Sequence, residues 1–234
     1  MKHQTIKQTL LCITACLGLL APSAALAEDA VLVEHNDKTW AVPLPEGYCN
    51  ATETFVGAFL LDFLDSWSAN IDKNIPVPIP KVAFTRCGFE SDFDNMYPWG
   101  WVGFENLNAS HKDQNLYNKQ LEKMLGSSRF AEMFNKILIG SAEETLDDYG
   151  VDATVQGLHM NGVLWKDNDV VVFQQTQNYK VEGESLVEVV VAASTLMDGF
   201  AIHYYVRDIL GGVTTSAENA EKLISNAHKL INLN

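Results

Sequence analysis

The residues able to do chemistry are few and scattered. Beyond the first 27 positions the histidines are His35, His111, His159, His203 and His228, and none has another histidine two, three or four residues away. A zinc site built on one helix or one strand therefore has no signature here. His203 stands in AIHYYV beside Tyr204 and Tyr205. In such a strand-like run the side chain is expected to hydrogen-bond on the sheet face, with a catalytic role as the alternative. Asp92 and Asp94 in SDFDN copy the opening of a calcium loop, but the glycine at its sixth position and the glutamate at its twelfth are missing. A solvated loop is the expectation. Glu143 and Glu144 read as acids in a first helical turn, where the helix dipole favours them. The sequence contains no G-x-S-x-G elbow, phosphate-binding Walker loop, G-x-G-x-x-G turn or H-E-x-x-H helix. No catalytic residue, cofactor-binding residue or metal ligand is assigned, and no cofactor is expected.

Two residue sets remain. Cys49 and Cys87 are the cysteines left once the first 27 residues are set aside, and an isolated pair in an exported chain is expected to form a disulfide. They lack the C-x-x-C spacing of a redox pair. The second set lies in YPWGWVGF. If this is a strand, Tyr97, Trp99 and Trp101 share one face, while Pro98, Gly100 and Val102 take the other. The rings either pack in a core or form a binding surface; Pro98 suits an edge strand, which accepts partners by strand addition.

Residues 1–27 carry Lys2 and Lys7, an apolar run from Leu10 to Ala21, and Ala25-Leu26-Ala27 as a small-residue cleavage site. That is the pattern of a secretory signal peptide, with a single domain expected over 28–234 and a periplasmic or secreted location. Setting it aside leaves 30 acidic against 14 basic residues, a formal charge of −16. Such a surface repels phosphate backbones and anionic lipids, so nucleic acid is excluded as a partner and no membrane insertion is expected after cleavage.

The elements that would position these residues are legible in outline. Asn36-Asp37 between β-branched or aromatic runs signals a hairpin over 31–35 and 38–43. Asn50 to Glu53 reads as a capping box for a helix over about 52–70, with Phe55, Phe59, Phe63 and Trp67 stacked on a core-facing side. NIPVPIPK, alternating proline with β-branched residues, reads as an extended connection rather than a central strand. KVAFTRCGF then reads as a strand, which the disulfide would pin to the start of the helix. Residues 113–149 read as a helical insert of three short helices, with Gly140 as a stop before a capping box at Ser141 to Glu144. TVQGLHMNGVLW, VVVFQQTQNY, SLVEVVVAAST and FAIHYYVRD are separated by turn residues and predict a four-stranded antiparallel meander. Thr215 to Glu218 caps a last helix with an apolar stripe of Ala220, Leu223, Ile224, Ala227, Leu230 and Ile231, expected to lie across the meander.

The order amounts to an α+β domain, an antiparallel sheet layered with amphipathic helices. At ESLVEVVVAASTLMDGFAIHYYVRD and the helix after it, the chain resembles proteins of the PsbP-like fold and their exported bacterial relatives. The resemblance implies an α/β/α sandwich and a binding, adaptor or assembly role with a protein partner rather than catalysis. The alternatives are a carboxylate-dependent hydrolase or carbohydrate-processing enzyme near Trp99 and Trp101, and a small-ligand carrier.

Overall fold

Runs of apolar residues through the last third of the chain, buried on both faces, build the centre of the molecule. In the computed structural model, which describes residues 30–71, 77–107, 113–181 and 183–234 apart from the side chains of Phe134 and Leu138, four long strands run as an uninterrupted meander. These are β6 (Ala153–Lys166), β7 (Val170–Val181), β8 (Glu184–Met197) and β9 (Phe200–Ile209). Three earlier strands extend the sheet: β3 (Tyr48–Asn50), β4 (Ile79–Arg86) and β5 (Trp99–Asn106). The order β3-β4-β5-β9-β8-β7-β6 is antiparallel at every neighbouring pair. The proposed signal segment and His111 lie outside the described residues. No helix among the described residues is long and apolar enough to cross a membrane.

Helices cover both faces, so the α+β class takes the form of three layers. One face carries α4 (Ser216–Leu233) and the separate hairpin of β1 (Ala30–His35) and β2 (Lys38–Pro43). The turn between β1 and β2 is the expected one, with Asn36 and Asp37 both at positive φ. Leu223, Ala227 and Leu230 of α4 pack with Trp40 and Val42 of the hairpin onto Val191, Ile202 and Tyr204. Thr215 and Glu218 form the reciprocal capping box at the start of α4. The opposite face carries α1 (Phe55–Ala69), α2 (Gln114–Leu125) and α3 (Ser128–Asp148).

Local readings fail at three places, each because a tertiary contact takes over. Helix α1 starts later than expected: Thr54, not Asn50, accepts from the Gly57 N–H at 3.1 Å, while the Ala51 N–H is spent on Ala83 O of β4. Gly57 is required there, since a Cβ would lie 1.8 Å from Ala51 O. The insert holds two helices rather than three. Helix α3 runs straight through Gly140, and the Ser141 hydroxyl, instead of capping, donates to Trp67 O of α1 at 2.8 Å. Glu143 and Glu144 therefore sit within α3 and not in a first turn; Glu143 Oε1 accepts from the Val155 N–H. Finally, Ile79-Pro80-Lys81 at the end of the proline-rich run opens β4, an interior strand. Pro80 is tolerated because β3 pairs only with Phe84 to Arg86 and the ladder to β5 shifts register between Pro80 and Val82.

Cys49 and Cys87 are joined by a disulfide. It links β3 to the residue following β4, so it staples two strand ends rather than a strand to a helix. It closes a 38-residue separation, worth about 4 kcal/mol in the chain-entropy model.

Candidate functional site

Strand β5 lies between β4 and β9, so the edge position that would have allowed strand addition at the aromatic stretch does not exist. Pro98 precedes the strand, with a cis peptide bond after Tyr97. The expected alternation does hold. Trp99 and Trp101, each 3 % exposed, point to the face under α1, while Val102 and Phe104 join the core on the α4 side. Gly100 is required on that second face because a Cβ would meet the Phe84 ring at 2.3 Å. Of the two readings of this stretch, the buried one describes Trp99 and Trp101.

Helix α1 meets this platform chiefly with Val56, Leu60 and Leu64, and Phe59 and Trp67 pack at its margin. Phe55 at the head of the stripe is 76 % exposed. The others, Phe59, Phe63 and Trp67, also line an apolar chamber of about 330 Å³. Helix α3 supplies Ile139, Ala142, Leu146 and Tyr149 to the same roof, and the floor includes Trp99, Tyr179 and Leu186. A second chamber, also about 330 Å³, lies under α2 and the start of α3 between Leu121, Leu125, Phe130, Met160 and Phe173. The two adjoin: Trp67, Gln177 and Arg207 stand in the walls of both.

The roof is pinned around the chambers rather than through them. The Tyr117 hydroxyl of α2 bonds Ser194 Oγ at 2.5 Å, and Gln114 Oε1 accepts from the Leu196 N–H at 2.7 Å. Asn118 Nδ2 donates to Asn168 O at 3.1 Å in the β6–β7 turn. Helix α3 is tied to α1 by Ser141, by Asn70 Nδ2 to Thr145 Oγ1 at 3.2 Å, and by the Tyr149 hydroxyl on Asp62. Such peripheral bonds hold helices at a fixed height while leaving the space between them unfilled.

Polar groups enter the floor in one band. Arg207 Nη1 donates to Glu188 Oε2 at 2.8 Å, with the side chains 13 % and 3 % exposed. Glu188 Oε1 accepts from the Tyr97 hydroxyl at 2.9 Å, the Tyr179 hydroxyl bonds Gln177, and the guanidinium lies 5.2 Å from the Trp99 ring centre. Burial alone would lower the Arg207 pKa, but Glu188 foremost and the tyrosines outweigh it and raise it. Burial, then Glu188, pushes the Tyr97 hydroxyl well above its ordinary value. Nearby, His203 Nε2 sits 3.1 Å from Glu105 Oε2, as expected of a sheet histidine, and the Trp101 and Tyr205 rings stack at 4.3 Å. Both wall carboxylates, Glu105 and Glu188, are thus already engaged. Cys49, Cys87 and Glu90 approach within 4.8 Å, but the disulfide leaves no thiolate to bind a metal.

Sequence reasoning found Tyr97, Trp99 and Trp101, and the structure places Tyr97 and Trp99 in the wall of the first chamber and Trp101 in that of the second. It missed Glu188, Arg207 and Gln177, and it read Phe59, Phe63 and Trp67 as core packing alone where they also line the first chamber. A signal existed: Glu188 interrupts an otherwise apolar run, VEVVVAA, and His203, Tyr205 and Arg207 alternate along one strand face. A charge in the middle of an interior strand needs a partner, and the register supplies it, since Arg207 pairs with Val190, two residues from Glu188.

No protein-family model matches the chain, and a search of curated proteins finds no match. Among solved structures the chain is similar to the Ran-binding protein Mog1p of Saccharomyces cerevisiae, at 11 % identity and a TM-score of 0.29, covering 88 % of this chain and 92 % of that one. At those values the likeness carries no inference about what this chain binds.

Proposed function

We propose that this is an exported, non-enzymatic carrier of a small apolar molecule held between the sheet and helices α1 to α3. One observation carries the reading. Two adjoining chambers of about 330 Å³ each lie beneath a roof whose side chains are overwhelmingly apolar, the size and character of small-molecule sites. Export is supported by the basic, apolar and small-residue pattern of residues 1–27 together with the disulfide, which belongs to oxidising compartments. The resemblance to the largely non-catalytic PsbP-like proteins supports binding over turnover, as does the prior engagement of both wall carboxylates. Capture of a protein partner through the aromatic stretch has lost its edge, and no observation among the described residues favours another surface for it.

The test is the melting temperature of residues 28–234 with and without Nile red, a neutral apolar dye. Binding confined to the folded state raises stability by about 2.7 kcal/mol at a free dye concentration about 100 times Kd, an easily resolved shift. An unchanged melting curve, with no blue-shifted dye emission, contradicts the proposal.

A further inference from the structure

The two chambers lie end to end along the strands. On β7, Val181, Tyr179 and Gln177 line the first, and Gln177, Gln175 and Phe173 line the second. These are alternate residues of a strand that pairs with β8 without a bulge, so all five share one face and the hand-over falls at Gln177. Strand β9 repeats the pattern: Arg207 stands in both walls, Tyr205 and His203 in the second alone. On β5, Trp99 belongs to the first chamber and Trp101 to the second. Chambers lying side by side would divide between strands and not along each of them.

The roof follows the same line, since α3 brings Phe130 to the second chamber and the residue after its last turn, Tyr149, to the first. Phe173 to Val181 is eight residue steps, about 26 Å at about 3.3 Å per step. Phe130 to Tyr149 covers about 28 Å at about 1.5 Å per residue. An extended aliphatic chain, with bonds of about 1.5 Å and angles near 111°, advances about 1.25 Å per carbon, so about 20 carbons match the full length and about 10 match either chamber. At the waist, Arg207 is matched by Glu188, so a chain passing there meets no unmatched charge. Resting on the carrier reading above, we infer that the ligand is a lipid with one aliphatic chain of about 20 carbons. The chain lies extended along the strands through both chambers, its middle beside Trp67, Gln177 and Arg207.

Chain length is the test. Even-numbered 1-alkanols of about 8 to about 24 carbons, delivered from methyl-β-cyclodextrin, displace Nile red from residues 28–234, and affinities refer to free alkanol. Affinity is expected to rise by up to about 4-fold per added carbon, past 10–12 carbons and on to about 20, and then to stop rising. A rise that ends at about 10–12 carbons overturns the inference, because occupancy then stops within one chamber. A rise unbroken to about 24 carbons overturns it as well, because the chain then meets no end wall. Blocking one chamber at a time gives a second reading, with Ala142→Trp in the first and Met124→Trp in the second. In each folded variant, 1-eicosanol is expected to weaken at least about 10-fold and 1-decanol by no more than about 3-fold. A long-chain preference kept in either folded variant overturns the single-chain placement. Melting curves establish folding, and if a variant does not fold, the length series on the unaltered chain decides. Failure of Nile red itself to bind overturns the carrier reading instead, which keeps the two failures distinct.

Discussion

Glu188 and Arg207 show at the scale of one residue pair how the site constrains the protein. The pair is almost wholly removed from water, so its attraction is largely offset by desolvation. Removing one member is a different matter. Arg207→Met leaves Glu188, 3 % exposed, with only the Tyr97 hydroxyl, and the expected loss is about 3–5 kcal/mol in urea unfolding. The double change Glu188→Leu with Arg207→Met should recover most of that loss. A double variant no more stable than the single one would show that the two do not act as a pair.

At the scale of elements, legibility followed how far each element depends on its own residues. The β1–β2 turn, the meander and α4 appear where the sequence puts them because positive-φ turn residues, apolar β-branched runs bounded by turns and a reciprocal cap are local devices. Helix α3 did not. Gly140 and Ser141 carry stop and start signals, yet the serine hydroxyl is claimed by Trp67 O and the Thr145 hydroxyl bonds back to Ser141 O, so the helix continues. The partners of the α1 aromatic stripe are tertiary too: Phe59 meets the Phe93 and Tyr149 rings edge-on and Trp67 packs at the margin of the Trp99–Trp101 platform, contacts that no local pattern encodes. Gly140 supplies a direct check, since a Cβ there meets nothing within 4 Å. Gly140→Ala should stabilise the protein by about 0.5–1 kcal/mol, raising Tm by roughly 1–4 °C. A loss of stability would mean that the chain breaks at this glycine after all.

The whole molecule is a sheet with one face closed by α4 and the hairpin and the other roofed at a distance. Its tyrosines report on that enclosure. The hydroxyls of Tyr97, Tyr117, Tyr179, Tyr204 and Tyr205 are all pushed above their ordinary value near 10, in each case chiefly by burial. A raised folded-state pKa means that the unfolded chain releases these protons first. The stabilisation is therefore complete below about pH 10 and is lost as pH rises from there toward the folded-state values, by roughly 1.4 kcal/mol per pH unit for each tyrosine. Urea unfolding between about pH 9 and about pH 12 should show a steep fall in midpoint, accompanied by tyrosinate absorbance on unfolding. A flat midpoint, with the tyrosines ionising in the folded protein, would place them in contact with water.

The central claim is that the space beneath α1 to α3 holds an apolar molecule, and filling that space tests it most directly. Ala142 of α3 and Met124 of α2 face separate chambers. Nile red titrated into residues 28–234 should give a saturable, blue-shifted emission that is strongly reduced when Ala142→Trp and Met124→Trp are combined, with the melting transition retained. Undiminished binding in that folded double variant would put the dye elsewhere and contradict the account.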